Sequence, residues 1–428
     1  MNMRKMAGMA VTAMLLAAGM AQADITIETV RVGNAGNTGE LSGDGAYGYG
    51  PDRICGAVAY TYNIGKYEVT AGQYTAFLNA VAVTDAYGLY NTNMDTTIHS
   101  YGCGITRTGS SGSYAYSVTS DWANRPVNFV SWGDSVRFAN WMTNGQGNGS
   151  TETGAYALNG ATTNAQLLAV GVPSASQRAT WSTGATSYFL LTSEDEWYKA
   201  AYYKGGSTTA GYWDYPTSSN ATPSNDLTTP DGGNNANFNQ SGYTVDSPYY
   251  RTPVGEFKLS DSPYGTFDQG GNVVEWNEAF IKPEYTAYRG LRGGSFLDVD
   301  SYLLASVRDY RVPAAESGYI GFRVSEVPAP ATLVGDTNDD GVVDVADYIT
   351  LKQNFGMTGA GWAQGNFNAD IDGDVDWDDL QLLMANFGTR SVGGAPSAPE
   401  PATLSLLALL ALSLPKRGGL AMIRRKRR

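Results

Sequence analysis

The residues Tyr264-Gly-Thr-Phe-Asp-Gln-Gly-Gly-Asn-Val-Val-Glu-Trp276 place two carboxylates, Asp268 and Glu275, on a stretch bent by Gly265, Gly270 and Gly271. A hard cation such as calcium needs this mixture, because its six to eight oxygens come from carboxylates and from backbone carbonyls that a sharply turned chain brings together. A glycine-rich turn burying a tryptophan has the same composition, and the stretch alone leaves both readings open.

A second acidic pattern is more restrictive. Asp336-Thr-Asn-Asp-Asp-Gly-Val-Val-Asp-Val-Ala-Asp347 puts oxygen ligands at loop positions 1, 3, 5, 9 and 12 (Asp336, Asn338, Asp340, Asp344 and Asp347), Gly341 at position 6 and the Val342 carbonyl at 7. Asn368, Asp370, Asp372, Gly373, Asp374, Asp376 and Asp379 repeat the arrangement. Each loop leads into an apolar helix, through Tyr348, Ile349, Leu351 and Phe355 and then Leu380, Leu382, Leu383 and Phe387. A solvated acidic spacer is the alternative, but it gives no reason for duplicated ligand spacing. Repulsion among so many carboxylates predicts a unit that folds poorly without calcium.

Other chemistries find few residues. The chain has one histidine, His99, and that scarcity removes Ser-His-Asp triads, histidine-rich zinc sites and facial-triad iron from serious consideration. Cys55 and Cys103 are its two cysteines; in an exported protein the default is one structural disulfide, with a metal-binding or reactive thiol pair as the alternative. No paired-carboxylate site for glycoside hydrolysis stands outside the metal loops.

Elements must position these groups. The chain has 428 residues, with 28 Lys and Arg against 41 Asp and Glu, a net charge of −13 that disfavours nucleic acid and suits a cation binder. Its 52 glycines and 28 tyrosines predict many loops held by aromatic packing. Residues 1–23 read as a secretory signal ending Ala21-Gln-Ala23. Alternating runs such as Ala57–Tyr62 suggest strands. Capping-box spacing at Thr70 and Gln73 predicts a helix burying Tyr74, Phe77, Leu78 and Val81, and Ser193 with Glu196 predicts another burying Trp197, Ala200 and Ala201. Ser131 caps a helix covered on most faces. Thr143 to Asn164 reads as an exposed excursion and Lys204 to Tyr250 as a long loop. Arg292, Arg308, Arg311 and Arg323 read as loop-pinning groups.

The ordered blocks Lys66-Tyr-Glu-Val-Thr70, Arg125-Pro-Val-Asn-Phe-Val-Ser-Trp132, Thr192-Ser-Glu-Asp-Glu-Trp197, Gly271-Asn-Val-Val-Glu-Trp276, Arg292-Gly-Gly-Ser-Phe296 and Gly321-Phe-Arg323 resemble the formylglycine-generating enzyme (sulfatase-modifying factor) family. The resemblance implies an α+β, C-type-lectin-like fold with little regular secondary structure over residues 24–326, with calcium inside. Carried over, one calcium site would use Asp268, Gly271, Val273 and Glu275, and a second Asn237, Phe238, Asp246 and Pro248. The catalytic pattern departs from the family: the places of its two Cu(I)-binding cysteines fall on Ser295 and Asp300, hard oxygen donors that cannot replace thiolates. Copper is therefore not expected, and calcium is.

After a linker at 327–335, the paired loops of 336–388 resemble a type I dockerin, whose recognition positions correspond to Val345, Ala346, Trp377 and Asp378. A further linker, 389–398, precedes a tail, 399–428, in which Pro399-Glu-Pro401, an apolar run Leu404–Leu414 and the basic cluster Arg424–Arg428 resemble a PEP-CTERM sorting signal. That implies transient membrane association, processing by an exosortase and delivery to the outer surface or matrix of a Gram-negative bacterium. The expected function is a secreted, non-catalytic, calcium-binding surface protein whose partner is a cohesin-like protein or an extracellular polysaccharide. The alternative is a formylglycine-generating-type oxidoreductase with an atypical metal site.

Overall fold

A computed structural model describes residues 24–182, 186–227, 231–281, 287–328, 334–338, 342–358, 360–361, 364–367 and 374–389. The signal segment, the sorting tail, Asp340, Asn368, Asp370 and Asp372 lie outside the described residues. The chain divides into two compact units, residues up to 174 with 188–326, and 175–187 with those from 327 onward. The expected continuous core is thus interrupted at 175–187.

The strands of the two four-stranded sheets of the first unit, in chain order, are β1 (Thr29–Val32), β2 (Tyr62–Gly65), β3 (Tyr188–Leu191), β4 (Val274–Ile281), β5 (Tyr288–Arg292), β6 (Asp309–Arg311), β7 (Ile320–Gly321) and β8 (Val324–Val327), beside two short hairpins, Glu40–Ser42 with Arg53–Cys55 and Thr106–Thr108 with Ala115–Ser117. One sheet runs β1-β2-β8-β3 and the other β6-β5-β4-β7. Central β4 pairs antiparallel with β5, Glu275 opposite Arg292, and parallel with β7, Glu275 opposite Gly321. Residues from three of the quoted sequence blocks therefore meet around one strand.

The helices begin where the capping residues place them. In α1 (Ala71–Val81) the Thr70 hydroxyl accepts from Gln73 N–H while Gln73 Oε1 accepts from Thr70 N–H. Its Tyr74, Phe77 and Leu78 are fully buried, and Val81 is half-buried. The helix α2 (Trp132–Thr143) is capped by Ser131 and buried from Trp132 through Met142, and α3 (Glu194–Tyr202) is capped by Ser193 and Glu196. Each such cap is worth about 1 kcal/mol.

Three expectations need correction. Of Ala57–Tyr62 only Tyr62 lies in a strand, because the Asn37 amide donates to Gly56 O and accepts from Val58 N–H, satisfying groups that a ladder would otherwise take. Thr143–Asn164 is not simply exposed: Tyr156, Leu158 and Ala161 are buried, with Asn140 bonded to Thr151 O and to both backbone groups of Tyr156. Within 204–250 the chain does form turns and isolated bridges, yet Tyr212, Tyr215, Ala236 and Phe238 are buried and anchor it.

The second unit contains α4 (Val345–Asn354) and α5 (Trp377–Asn386) around Val343, Tyr348, Leu351, Phe367, Val375, Leu380 and Leu383. Its halves are cross-tied. Val343 exchanges hydrogen bonds with Gly388 and Thr389 beyond α5, and Val375 does so with Gly356 and Met357 beyond α4. Ile349, expected among the apolar helix positions, is 47% exposed.

Candidate functional site

Two buried carboxylates organise the first unit. Glu194, at the start of α3, accepts from Arg292 (Nε 3.0 Å, Nη2 2.7 Å), Arg308 (Nε 2.7 Å, Nη2 2.8 Å) and Arg53 (Nη1 3.0 Å). Burial by itself would raise its pKa, but Arg292, Arg308 and Arg53 outweigh burial and hold it at about 2. Glu275, opening β4, accepts from Arg323 Nε and Nη2 and from Trp197 Nε1, each at 2.7 Å. Pinning thus describes Arg292, Arg308 and Arg323, whereas Arg311 bonds to its near neighbours Asp309 and Tyr310.

Asp268, Gly271, Val273 and Glu275 follow one another around the turn into β4. Asp268 adopts φ 60° and its Oδ2 accepts from Gly255 N–H at 2.6 Å. Gly271 adopts φ 88° against the Asn237 carbonyl, and a Cβ there would overlap that oxygen. Gly271→Ala is accordingly expected to lower stability by at least the roughly 1–3 kcal/mol of a strained backbone conformation, read as a lower denaturant midpoint at unchanged m-value.

Beside Asp268 lies a group that spacing did not reveal. Glu68, just before the cap of α1, is 2% exposed, and neither carboxylate oxygen has a hydrogen-bond partner. Burial, and then repulsion from Asp268, raises its pKa well above the carboxylate range, and burial lifts Asp268 to about 6. Nothing in the local sequence announces this, because Asp268 is far away along the chain. A buried Glu68 with no hydrogen bond on its carboxylate, beside a half-buried Asp268 that accepts from Gly255 N–H, fits a divalent cation, which would supply the charge that burial withholds. Glu275, expected as a ligand, is instead turned onto Arg323 and Trp197 and keeps only a remaining lone pair for a metal.

The second expected set is split. Asn237 is 1% exposed; its amide donates to Tyr250 O and Asn272 Oδ1, leaving Oδ1 buried without a partner, as a cation ligand would be. The Phe238 carbonyl accepts from Asn225 Nδ2 at 3.1 Å. Asp246 and Pro248 lie on an exposed turn. Among the described residues no three His, Cys, Asp or Glu side chains converge as a metal cluster, so a cation here would draw largely on amide and backbone oxygens.

Where the family's thiolates would stand, Ser295 Oγ donates to Asp298 Oδ2 at 2.6 Å, and Asp300 opens a single 3-10 turn. Neither residue type can hold Cu(I). The chain's own thiols do not substitute. Cys55 and Cys103 are both buried and unbonded, so the expected disulfide is not formed. Cys55 Sγ instead accepts from Arg292 Nη2 at 3.2 Å beside Glu194, and burial raises its pKa to about 11. Next to Ser295, Phe296 packs with Tyr101, Tyr243 and Tyr250, ring centroids 5.3, 6.2 and 5.8 Å away.

In the second unit Asp336, Asp347 and Asp379 are at most 1% exposed. Asp347 accepts from Thr337 and Asp344 N–H, and Asp379 from Phe367 and Asp376 N–H, so position 12 of each loop also caps its helix. Asp344 and Asp376 are the N-cap residues. Asn338 is exposed, Val342 and Asp374 half-buried. Of the expected docking positions, Val345 is half-buried while Ala346, Trp377 and Asp378 are exposed at the helix starts.

Comparison with known proteins bears on the first unit. No curated protein matches the chain. Solved structures similar to it include one titled CarF (20% identity, 70% of this chain and 98% of that one, TM-score 0.39) and PvdO from Pseudomonas aeruginosa (20%, 70% and 93%, 0.38). Treponema denticola variable protein 1 is similar at 18% identity, covering 70% of this chain and 95% of that one with a TM-score of 0.38. A family model described as the sulfatase-modifying factor enzyme 1-like domain matches residues 42–327, most of the chain, and the protein therefore belongs to that family.

Proposed function

We propose that the chain is an exported, non-catalytic member of its family, in which a calcium-stabilised recognition domain is joined to a calcium-dependent docking module. The observation that carries this reading is the donor set at the family's copper position. Ser295 and Asp300 offer hard oxygens, and both thiols of the chain are buried elsewhere, Cys55 against Arg292. Calcium is the cation of choice, held in the first unit by Asp268, Glu68 and neighbouring carbonyls and by Asn237 with Phe238, and in the second by the paired acidic loops. The duplicated loops, read as a dockerin-like module, dock a cohesin-like partner through Ala346, Trp377 and Asp378. The signal and the PEP-CTERM-like tail deliver the protein to the outer surface or matrix.

Two titrations of the full chain test this. Calcium is expected to bind with heat, and Asn237→Ala and Asp268→Asn are each expected to weaken the first-unit sites about tenfold or more. With Cu(I) and a cysteine-containing peptide, no oxygen uptake is expected. Tight Cu(I) binding that disappears in the Cys55→Ser, Cys103→Ser double variant would instead establish the oxidoreductase reading.

A further inference from the structure

A groove of about 560 Å³ opens between residues 222–226 and Gln240, lined by Thr222, Pro223, Ser224, Asn225, Asp226 and Gln240. The volume lies within the range of small-ligand sites. Its chemistry is unusual for such a site: one carboxylate, two amides, two hydroxyls and a proline, with no basic residue and no aromatic floor. Phosphate and sulfate groups have no cation to meet there. A hydrophobic peptide side chain has no apolar socket.

The walls are held in place. Ser224 bridges to Asn235 through paired backbone hydrogen bonds, N–H to Asn234 O and O from Ala236 N–H. Ser224 Oγ accepts from Asp226 N–H at 3.1 Å, and Thr222 Oγ1 lies 3.3 Å from the Tyr215 hydroxyl. Asn225 Nδ2 donates to the Phe238 and Gly242 carbonyls, both at 3.1 Å, which fixes the amide and turns its Oδ1 loose. No hydrogen bond among the described residues occupies Asn225 Oδ1, the Asp226 carboxylate or the Gln240 side-chain amide. Together these groups offer acceptors and one amide donor to the groove, on a scaffold held by the hydrogen bonds above.

We propose that this groove binds a neutral oligosaccharide. Adjacent sugar hydroxyls donate and accept in pairs, which a carboxylate accepting two hydroxyls and a side-chain amide offering both functions complement. The net charge of −13 further disfavours acidic polysaccharides as partners. The proposal rests on the recognition-domain reading above and names its ligand class. Because Asn225 also holds the Phe238 carbonyl, the groove borders the loop that supplies one expected calcium site.

The test uses the full chain, calcium-saturated and with its calcium titration already verified, so that loss of metal binding and loss of sugar binding are separate results. Cellohexaose, xylohexaose, mannohexaose and chitohexaose are titrated by calorimetry and saturation-transfer NMR, with polygalacturonate as the anionic arm. At least one neutral hexasaccharide is expected to bind, and the Asp226→Ala, Gln240→Ala double variant, whose sites are exposed and outside the core, to weaken it about tenfold or more. Binding of none of the four, binding unchanged in the double variant, or preference for polygalacturonate would each overturn the assignment.

Discussion

Glu194→Gln should unfold the first unit at markedly lower denaturant than the parent, with a loss of about 3–5 kcal/mol, the cost of leaving a buried charge unpaired. The substitution keeps size and two polar atoms but removes the charge that Arg292 and Arg308 surround at 2.7–3.0 Å. Both arginines are 5% exposed or less at the side chain and would be stranded. Arg53→Gln is the contrast: its side chain is 38% exposed, and screening by solvent limits its loss to about 1 kcal/mol.

The same carboxylate gives a pH signature of known sign. Its folded pKa of about 2 lies below the ordinary value of 4.5. The stabilisation is thus present above pH 4.5 and is lost as the pH falls from there towards 2, on the order of 3 kcal/mol in all. Denaturant midpoints measured across that window should fall steeply for the parent and far less for Glu194→Gln. Equal slopes would mean that Glu194 does not carry the arginine cluster.

This cluster shows what could and could not be read from the chain. Capping pairs such as Thr70 with Gln73 and Ser193 with Glu196 lie three residues apart, so three helices are placed by local chemistry alone. The arginines of the Arg292 and Arg323 blocks could be read as pins, but their acids could not, because Glu194 and Glu275 are recruited across long sequence separations. Glu68 is the sharpest case. Only the fold brings it against Asp268, and only burial makes its bare carboxylate meaningful. Long-range contact also explains why the expected disulfide is not formed: Cys55 is drawn to Arg292 by the packing of the hairpin strand Arg53–Cys55 beside α3, which no cysteine count could reveal. The acidic repeats stand out for the opposite reason, since their regularly spaced oxygen-bearing residues fall within a single dozen residues.

Those repeats carry the other large expected effect. Removing calcium with a chelator should melt the second unit, while the first, with its larger core, keeps its fold and loses only part of its stability. Among the described residues the unit's core is small, seven buried side chains around two ten-residue helices, and a domain of that size rarely folds on apolar burial alone. Against it stand Asp336, Asp347 and Asp379, all buried. A bound ion at a thousand times its Kd would contribute about 4 kcal/mol per site. Far-UV circular dichroism on the full chain should therefore lose an early helical transition in excess chelator and regain it with calcium. Asp347→Asn and Asp379→Asn remove the ligand charge while the single amide oxygen can still accept the capping bond from Asp344 or Asp376 N–H, at the loss of the bond from Thr337 or Phe367 N–H. Each is expected to raise the calcium midpoint about tenfold or more. The cross-ties make a further demand, because Val343 of the first loop leans on Gly388 and Thr389 after α5, and Val375 of the second leans on Gly356 and Met357 after α4. Either single substitution should then weaken both loops, and melts that superimpose with and without calcium would remove the ion from this unit altogether.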